Sequence, residues 1–295
     1  MSRDAVLVTH TGRPGIVEQA RTVAEQLIDA GFCVRVLADE APDLGLPGVE
    51  AVSDDSAAAE GAEIVLALGG DGTVLRAAEL ARPHHAPLLG VNLGRVGFLA
   101  EVEADALADT VRHVVDRSYQ VDERLTIDVV VRSNGRVLAT EWALNEATVE
   151  KASRERMLEV LVGIDGRPLS RWGCDGVICA TPTGSTAYAF SGGGPVVWPE
   201  VEALLLVPIG AHALFSRPLV TAPSSTLAIE LSGRTAPGLL FCDGRRTVDL
   251  PPGARVEVRR GALPVRVVRL HPRPFTDRLV AKFALPVEGW RGRPR

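Results

Sequence analysis

The sequence predicts two domains of different class: an α/β domain at the N-terminus and a β-rich domain at the C-terminus. Three observations carry this prediction. Apolar strand-like runs alternate with helical periodicity over residues 1–121. From Arg124 onward, short β-branched runs follow one another with few helices between them. A chain of 295 residues is long for one simple domain and comfortable for two.

The elements follow in order. Residues 5–9 form a buried strand. Ile16, Val17, Ala20, Val23, Ala24, Leu27 and Ile28 then repeat at the spacing of one helical face, and Gly31 stops the helix. Cys33 to Leu37, Ile64 to Leu68 and Leu88 to Asn92 are the next strands, with helical patterns over Val74 to Ala81 and Ala104 to Val115. In the second half, strands are expected over Thr126 to Val131, Leu158 to Ile164, Val177 to Ala180, Thr226 to Leu231, Arg255 to Arg259 and Val265 to Leu270. Near the end, Phe275, Leu279, Val280 and Phe283 fit one face of a short helix. The domains are therefore drawn as 1–121 and 122–271, followed by a C-terminal segment, 272–295.

Bulk composition narrows the function. Hydrophobic residues make up 46% and charged residues 23%, ordinary for a soluble, packed protein. Apart from a short basic tail, Arg291 to Arg295, nothing looks disordered. The formal net charge is −5, which leaves no global basic field for nucleic acid. The longest apolar runs fall far short of the ~20 residues of a spanning helix. The first residues lack the regions of a signal peptide, so the expectation is a cytoplasmic protein with no membrane partner. The four cysteines, Cys33, Cys174, Cys179 and Cys242, are scattered and form no C-x-x-C pair. They are expected to be small buried hydrophobes in a reducing compartment.

The first chemical motif is Gly69-Gly70-Asp71-Gly72-Thr73, directly after a buried strand and directly before a helical pattern. Glycines permit positive φ and close approach of a ligand to the backbone. The N–H groups of a helix start, together with its dipole, favour phosphate. A carboxylate in such a loop would repel phosphate unless it had another task, either to accept a proton from an attacking hydroxyl or to help hold Mg²⁺. The plain alternative is a surface turn in which Asp71 only caps the helix. Arg76 lies further along the same helix and Arg156 just before a strand. Either could meet phosphate or lie solvated at the surface.

Four further segments bear on identity. They are Gly90 to Leu99 (GVNLGRVGFL), Asn145-Glu146, Asp175-Gly176-Val177 with Thr181 to Tyr188 (TPTGSTAY), and Ser191 to Pro195 (SGGGP). Asn145 and Glu146 offer donors and acceptors suited to ribose hydroxyls or an adenine edge. Small residues around Gly184 allow close approach of a ligand, and Tyr188 offers a ring and a hydroxyl. The bland readings are a solvated strand end, a Thr/Ser-rich turn and an Asp-Gly turn at Asp175.

The G-G-D-G-T loop alone resembles NAD kinases, diacylglycerol-type lipid kinases and, more loosely, phosphofructokinases. Together with the four later segments, in this order, the chain resembles the NAD kinase family. The likeness covers most of residues 64–198, and the TPTGSTAY run is its most specific part. Three departures stand out: Gly192 where the family usually has Ala, Gly173 where many relatives carry a basic residue, and Arg245 where some have Gln.

The resemblance implies a C-terminal helix that returns to the first domain and a site at a cleft between the domains. It implies transfer of a phosphoryl group from ATP, or from inorganic polyphosphate, to the adenosine 2′-hydroxyl of NAD, with Asp71 as general base. Gly69, Gly70, Gly72, Thr73 and Arg76 would hold the donor's phosphates. Asp71, Gly72, Arg76, Asn145, Glu146, Arg156, Gly173, Asp175, Thr186, Ala187, Tyr188, Ser191, Gly210 and Arg245 would contact NAD. Mg²⁺, or another divalent cation, would arrive with ATP rather than in a dedicated protein cage. A homodimer or homotetramer is implied, with the β-rich domain at the interface. Gly173 raises the further expectation that NADH is accepted as well as NAD. A lipid kinase and a non-catalytic NAD-binding regulator stay open as alternatives.

Overall fold

The computed structural model describes residues 3–10, 12, 14–92, 97–100, 102–103, 107–153, 156–270 and 274–287. Three sequence expectations lie wholly or partly outside these residues: the basic tail 291–295, the middle of the second glycine-rich stretch (93–96), and the first residues of the helix expected at Ala104. The chain divides into two compact units, Met1–Glu123 with Val265–Arg295, and Arg124–Pro264.

The first unit is built on a largely parallel sheet. Its elements are β1 (Arg3–Thr9), α1 (Pro14–Asp29), β2 (Phe32–Leu37), α2 (Ala41–Leu44), β3 (Val49–Val52), β4 (Ile64–Leu68), α3 (Asp71–Ala81), β5 (Leu88–Asn92), β6 (Val102–Glu103), α4 (Leu107–Val115) and β7 (Gln120–Arg124). The strands run in the order β3-β2-β1-β4-β5, with β1 pairing in parallel to both β2 and β4. β4 and β5 are buried along their whole length, as expected of strands covered on both faces. α1 contributes Ala20, Val23, Ala24 and Leu27 to the core against Leu7, Val34 and Leu66. Gly31 takes φ of +86°, the left-handed conformation that ends a helix without strain.

One strand sits where the sequence did not place it. The run expected in the β-rich domain at Val265 to Leu270 is here β20 (Val265–Arg269), which lies in the first unit's sheet between β5 and β7. Val267 pairs with Leu88 in parallel. The boundary therefore falls between residues 264 and 265, not between 271 and 272. A β-branched apolar run has the same composition in either kind of sheet, so local pattern could not decide between them. The last helix, α6 (Phe275–Phe283), belongs to the first unit as well. Phe275 and Phe283 meet the ring of Phe98, with centroids 6.3 and 5.7 Å away. Arg278 Nη1 donates to the Phe98 carbonyl at 3.1 Å.

The second unit is a sandwich of two antiparallel sheets. Its elements are β8 (Ile127–Ser133), β9 (Arg136–Ala143), β10 (Glu146–Lys151), β11 (Leu158–Ile164), β12 (Arg167–Cys174), β13 (Gly176–Ala180), α5 (Tyr188–Ser191), β14 (Leu204–Ile209), β15 (Leu219–Thr221), β16 (Leu227–Leu231), β17 (Gly238–Cys242), β18 (Arg246–Leu250) and β19 (Arg255–Arg260). One sheet runs β15-β14-β13-β10-β17-β18, the other β12-β11-β16-β19-β8-β9. Alternate residues from both sheets fill the core: Val129, Val160, Ile229 and Val256 from one, Val149, Val177, Leu206 and Leu240 from the other. On the back of the first of these sheets, Ile178, Ala180, Leu205 and Val207 bury Ala189 of α5. Cys174, Cys179 and Cys242 are buried as expected, but Cys33 is exposed, its sulfur 3.8 Å from Glu50 Oε2. Strand alternation explains this, since β2 turns Phe32 and Val34 inward and Cys33 outward.

Candidate active site

In the first unit, the strand order places the G-G-D-G-T loop at the end of β4, beside β1. An open α/β sheet binds ligands at the carboxyl ends of its strands where the order switches, and here the switch lies between β1 and β4. Gly70 is the N-cap of α3, with φ −88° and ψ −173°. None of Gly69, Gly70 and Gly72 takes positive φ, so these glycines are not explained by left-handed backbone. Gly69 is needed for room, because a Cβ there would collide with the Thr73 side chain. Around Gly70 and Gly72 a Cβ would meet nothing within 4 Å, so these positions are open to a ligand.

Asp71 is held from a segment the sequence singled out without giving it a role. Phe98 N–H donates to Asp71 Oδ2 at 3.2 Å, and Leu99 N–H to Oδ1 at 3.1 Å. A Cβ on Gly97 would overlap the Asp71 carboxylate. Part of the second glycine-rich stretch is thus a cradle for the loop's carboxylate, and Gly97, Phe98 and Leu99 join the site. At the other end of the same stretch, Gly90 lets β5 and α3 pack closely, since a Cβ there would lie 2.9 Å from Val74 Cγ2.

Arg76 is half-buried and engaged by three carboxylates. Nη1 meets Glu40 Oε1 at 2.8 Å, Nη2 meets Asp39 Oδ2 at 3.0 Å and Asp54 Oδ2 at 2.7 Å, and Nε meets Asp54 Oδ2 at 3.2 Å. Glu40 is buried. Desolvation pushes its carboxyl up to about 7, against hydrogen bonds from the Thr9 backbone and hydroxyl and the pull of Arg76. The structure therefore shows Arg76 in contact with carboxylates, where a phosphate had been expected.

In the second unit, Asn145 and Glu146 are 7% exposed each, which rules out the reading of a solvated strand end. Asp243 holds their turn. Its oxygens accept from the backbone N–H of Leu144, Asn145 and Glu146 at 2.9, 2.7 and 3.3 Å, and Arg246 Nη2 lies 3.2 Å away. Asp243 begins an Asp-Gly turn between β17 and β18 in which both residues take positive φ, +53° and +64°. The sequence had noted Asp243-Gly244-Arg245 only for the identity of Arg245. A buried Asp facing three main-chain donors was not legible there. Arg245 is exposed on this turn.

Two acceptors here, Asn145 Oδ1 and Glu146 Oε2, are buried and without a hydrogen-bond partner among the described residues. Buried polar atoms are nearly always paired, so two adjacent orphans mark a place for ligand donors. Burial, then the charge of Asp243, push the Glu146 carboxyl up to about 8, although the Tyr188 backbone N–H pulls the other way. At neutral pH Glu146 thus carries a proton and both donates and accepts. Tyr188 bonds Glu150 through its hydroxyl and remains 39% exposed.

Gly184 does not open a path to a ligand. A Cβ there would fall on the Asn145 carbonyl, so the glycine brings the TPTGSTAY segment against the Asn-Glu turn. Thr181 ties the two together: its hydroxyl donates to the Leu144 carbonyl at 2.6 Å and accepts from Gly184 N–H at 3.0 Å. Thr186 and Ala187 follow in and after the short 3₁₀ turn Thr183–Thr186, and Ser191 ends α5, exposed. Asp175 pairs with Lys151 and faces Gly210, where φ is +56° and a Cβ would lie 2.7 Å from Asp175 Oδ2. Gly173 lies in strand β12. A side chain there would meet only the flexible tip of Met157, 3.3 Å away. Arg156 is exposed.

A carboxylate held in a glycine-rich loop at a strand switch, and a buried Asn-Glu pair with two unpartnered acceptors, are features that suit a nucleotide-binding phosphotransferase. Residues 6–119 match the ATP-NAD kinase N-terminal domain, and residues 144–270 match the ATP-NAD kinase C-terminal domain. The chain belongs to the NAD kinase family. It is 62% identical over 294 residues to NAD kinase 2 of Streptomyces coelicolor, covering 99% of this chain and 98% of that protein. It is 55% identical over 303 residues to the NAD kinase of Mycobacterium leprae, covering 99% and 97%. Among solved structures, an NAD kinase from Archaeoglobus fulgidus in complex with ATP superposes with TM-score 0.72 and 25% identity, over 95% of this chain and 98% of that one. Yeast NADH kinase complexed with NADH shares the fold, with TM-score 0.86 and 23% identity over 100% of this chain and 89% of that one. No helix among the described residues is long and apolar enough to cross a membrane.

Proposed function

We propose that this chain is an NAD kinase that moves a phosphoryl group from ATP to the adenosine 2′-hydroxyl of NAD, giving NADP, with Asp71 as the general base. The observation that carries the reading is the Asp71 carboxylate, set in a phosphate-type loop at the strand switch and gripped by the Phe98 and Leu99 N–H groups. A carboxylate so placed serves an incoming hydroxyl. The 2′-O–H proton passes to Asp71, the oxygen bonds to the terminal phosphorus, and the bond from phosphorus to the leaving ADP oxygen breaks. Such transfers have a loose transition state, so positioning and charge neutralisation carry more of the rate than the base.

The first unit supplies the phosphate chemistry through Gly70, Gly72 and the start of α3. The second supplies the nucleoside chemistry, with Asn145 Oδ1 and the protonated Glu146 taking adenosine's donors and acceptors. The divalent cation, Mg²⁺ in this reading, is a hard ion that comes with the donor's phosphates and offsets their charge. The loop's own carboxylate, Asp71, fits that arrangement, since Mg²⁺ is commonly held by one or two carboxylates plus substrate oxygens. Assembly as a homo-oligomer through the β-rich unit is retained as part of this reading, by analogy with the family. Purified protein incubated with NAD, Mg²⁺ and either ATP or polyphosphate, with NADP read by an NADP-specific dehydrogenase, tests the activity and the donor together. NADP is expected with at least one donor; no NADP above background with either of them would overturn the reading.

A further inference from the structure

The guanidinium of Arg76 has two differently used edges. Nη1 faces Glu40, a carboxylate with 2% side-chain exposure. Both Glu40 oxygens are committed, Oε1 to Arg76 and Oε2 to the Thr9 N–H and hydroxyl at 2.7 and 3.0 Å. Nε and Nη2 form the other edge, the one with which arginine grips two oxygens of a carboxylate or phosphate. That edge is occupied by one oxygen of Asp54, at 3.2 and 2.7 Å, and its Nη2 also by both oxygens of Asp39, at 3.2 and 3.0 Å. Asp54 and Asp39 are 47% and 63% exposed. Arg76 lies on the second turn of α3, and helical side chains lean toward the helix N-terminus, the end that carries the G-G-D-G-T loop.

We propose that Glu40 is the positioning residue of Arg76, and that Asp54 is a built-in competitor occupying the edge that a substrate phosphate takes. Exposed ion pairs are weak, and a phosphate brings more charge to the same edge. The exposed aspartates therefore yield to substrate. Buried Glu40 cannot yield, and it keeps the guanidinium aimed while the exchange occurs. The proposal rests on the reading that Arg76 meets a phosphate, and it assigns opposite roles to two carboxylates on one side chain.

The test is the affinity for NAD and, separately, for Mg-ATP, by titration calorimetry, which does not depend on turnover. Asp54→Asn is expected to tighten binding about threefold for whichever substrate Arg76 grips, since an exposed pair contributes little. Measured at pH 8.5, where Glu40 is ionised, Glu40→Gln is expected to weaken the same substrate about tenfold, because a buried partner's charge is lost. The substrate that responds tells whether the phosphate is that of the dinucleotide or of the donor. In an Arg76→Gln background, itself weakened, neither change should have a further effect. A merely structural cluster would move both variants in the same direction and alter the melting temperature instead. Arg76→Gln with unchanged affinity for both substrates would overturn the phosphate role of Arg76. Weakened Arg76→Gln alongside an Asp54→Asn variant that binds no more tightly than wild type would overturn the competitor alone. If Glu40→Gln fails to fold, Asp54→Asn with and without Arg76→Gln decides the matter, because Asp54 lies at the surface.

Discussion

Glu146 shows how one buried group couples stability and binding. Its carboxyl titrates at about 8 in the folded chain, against 4.5 for an ordinary glutamate, chiefly because burial penalises its charge. The folded state therefore holds a proton that the unfolded chain releases at lower pH. The stability it contributes is full below 4.5 and is lost as pH rises toward 8. Wild type minus Glu146→Gln isolates this contribution: the melting temperature of wild type should fall relative to the variant between pH 5 and 8, and equal slopes would remove Glu146 as the cause. Glu146→Ala should raise KM for NAD roughly tenfold with little change in kcat, as expected for a contact made alike in ground and transition states. At Gly173 an added side chain would have only the flexible tip of Met157 to displace, which makes a third prediction possible. Gly173→Arg should fit and should change the ratio of kcat/KM for NADH to that for NAD. Wild type that rejects NADH, or an unchanged ratio, would remove Gly173 as the determinant. Sequence alone marked both positions, but Glu146's protonation could not be read there, because it comes chiefly from burial in the folded chain and then from Asp243, 97 residues away.

At the scale of elements, the loops of the site are held mostly by main-chain donors. The cradle at Phe98 and Leu99 fixes Asp71, and Asp243 fixes the turn before β10. Gly97→Ala is therefore expected to lower kcat by at least about tenfold with NAD binding near wild type, because the new methyl displaces the carboxylate from its donors. An unchanged kcat would show that Asp71 need not sit there. The glycine-rich loop, α3 and the TPTGSTAY run were legible, since strand, glycines and helix lie within one short stretch. The reasons for several glycines were not. Gly69, Gly97 and Gly184 make room for Thr73, Asp71 and Asn145 respectively, and such close approaches join residues that local pattern treats separately. Asp243 escaped notice because Asp-Gly is the common signal of a hairpin turn, and nothing local tells a capping Asp from a buried anchor.

At the scale of the whole molecule, the change from α/β to β-rich near residue 124 was readable from period alone, as was the final helix. The return of β20 to the first sheet was not, because pairing partners far apart in sequence leave no local trace. The same holds for the order β3-β2-β1-β4-β5, which sets the G-G-D-G-T loop at the switch point and on which the catalytic reading of Asp71 depends. One comparison tests that reading most directly: NADP formation by wild type and Asp71→Asn under identical conditions, with NAD affinity measured on both. Asparagine has the carboxylate's shape but cannot take a proton at neutral pH. The expected result is a fall in kcat of roughly a hundredfold or more, the scale of a lost general base, with NAD affinity changed by no more than a few fold. An Asp71→Asn enzyme that makes NADP at close to the wild-type rate would contradict the account.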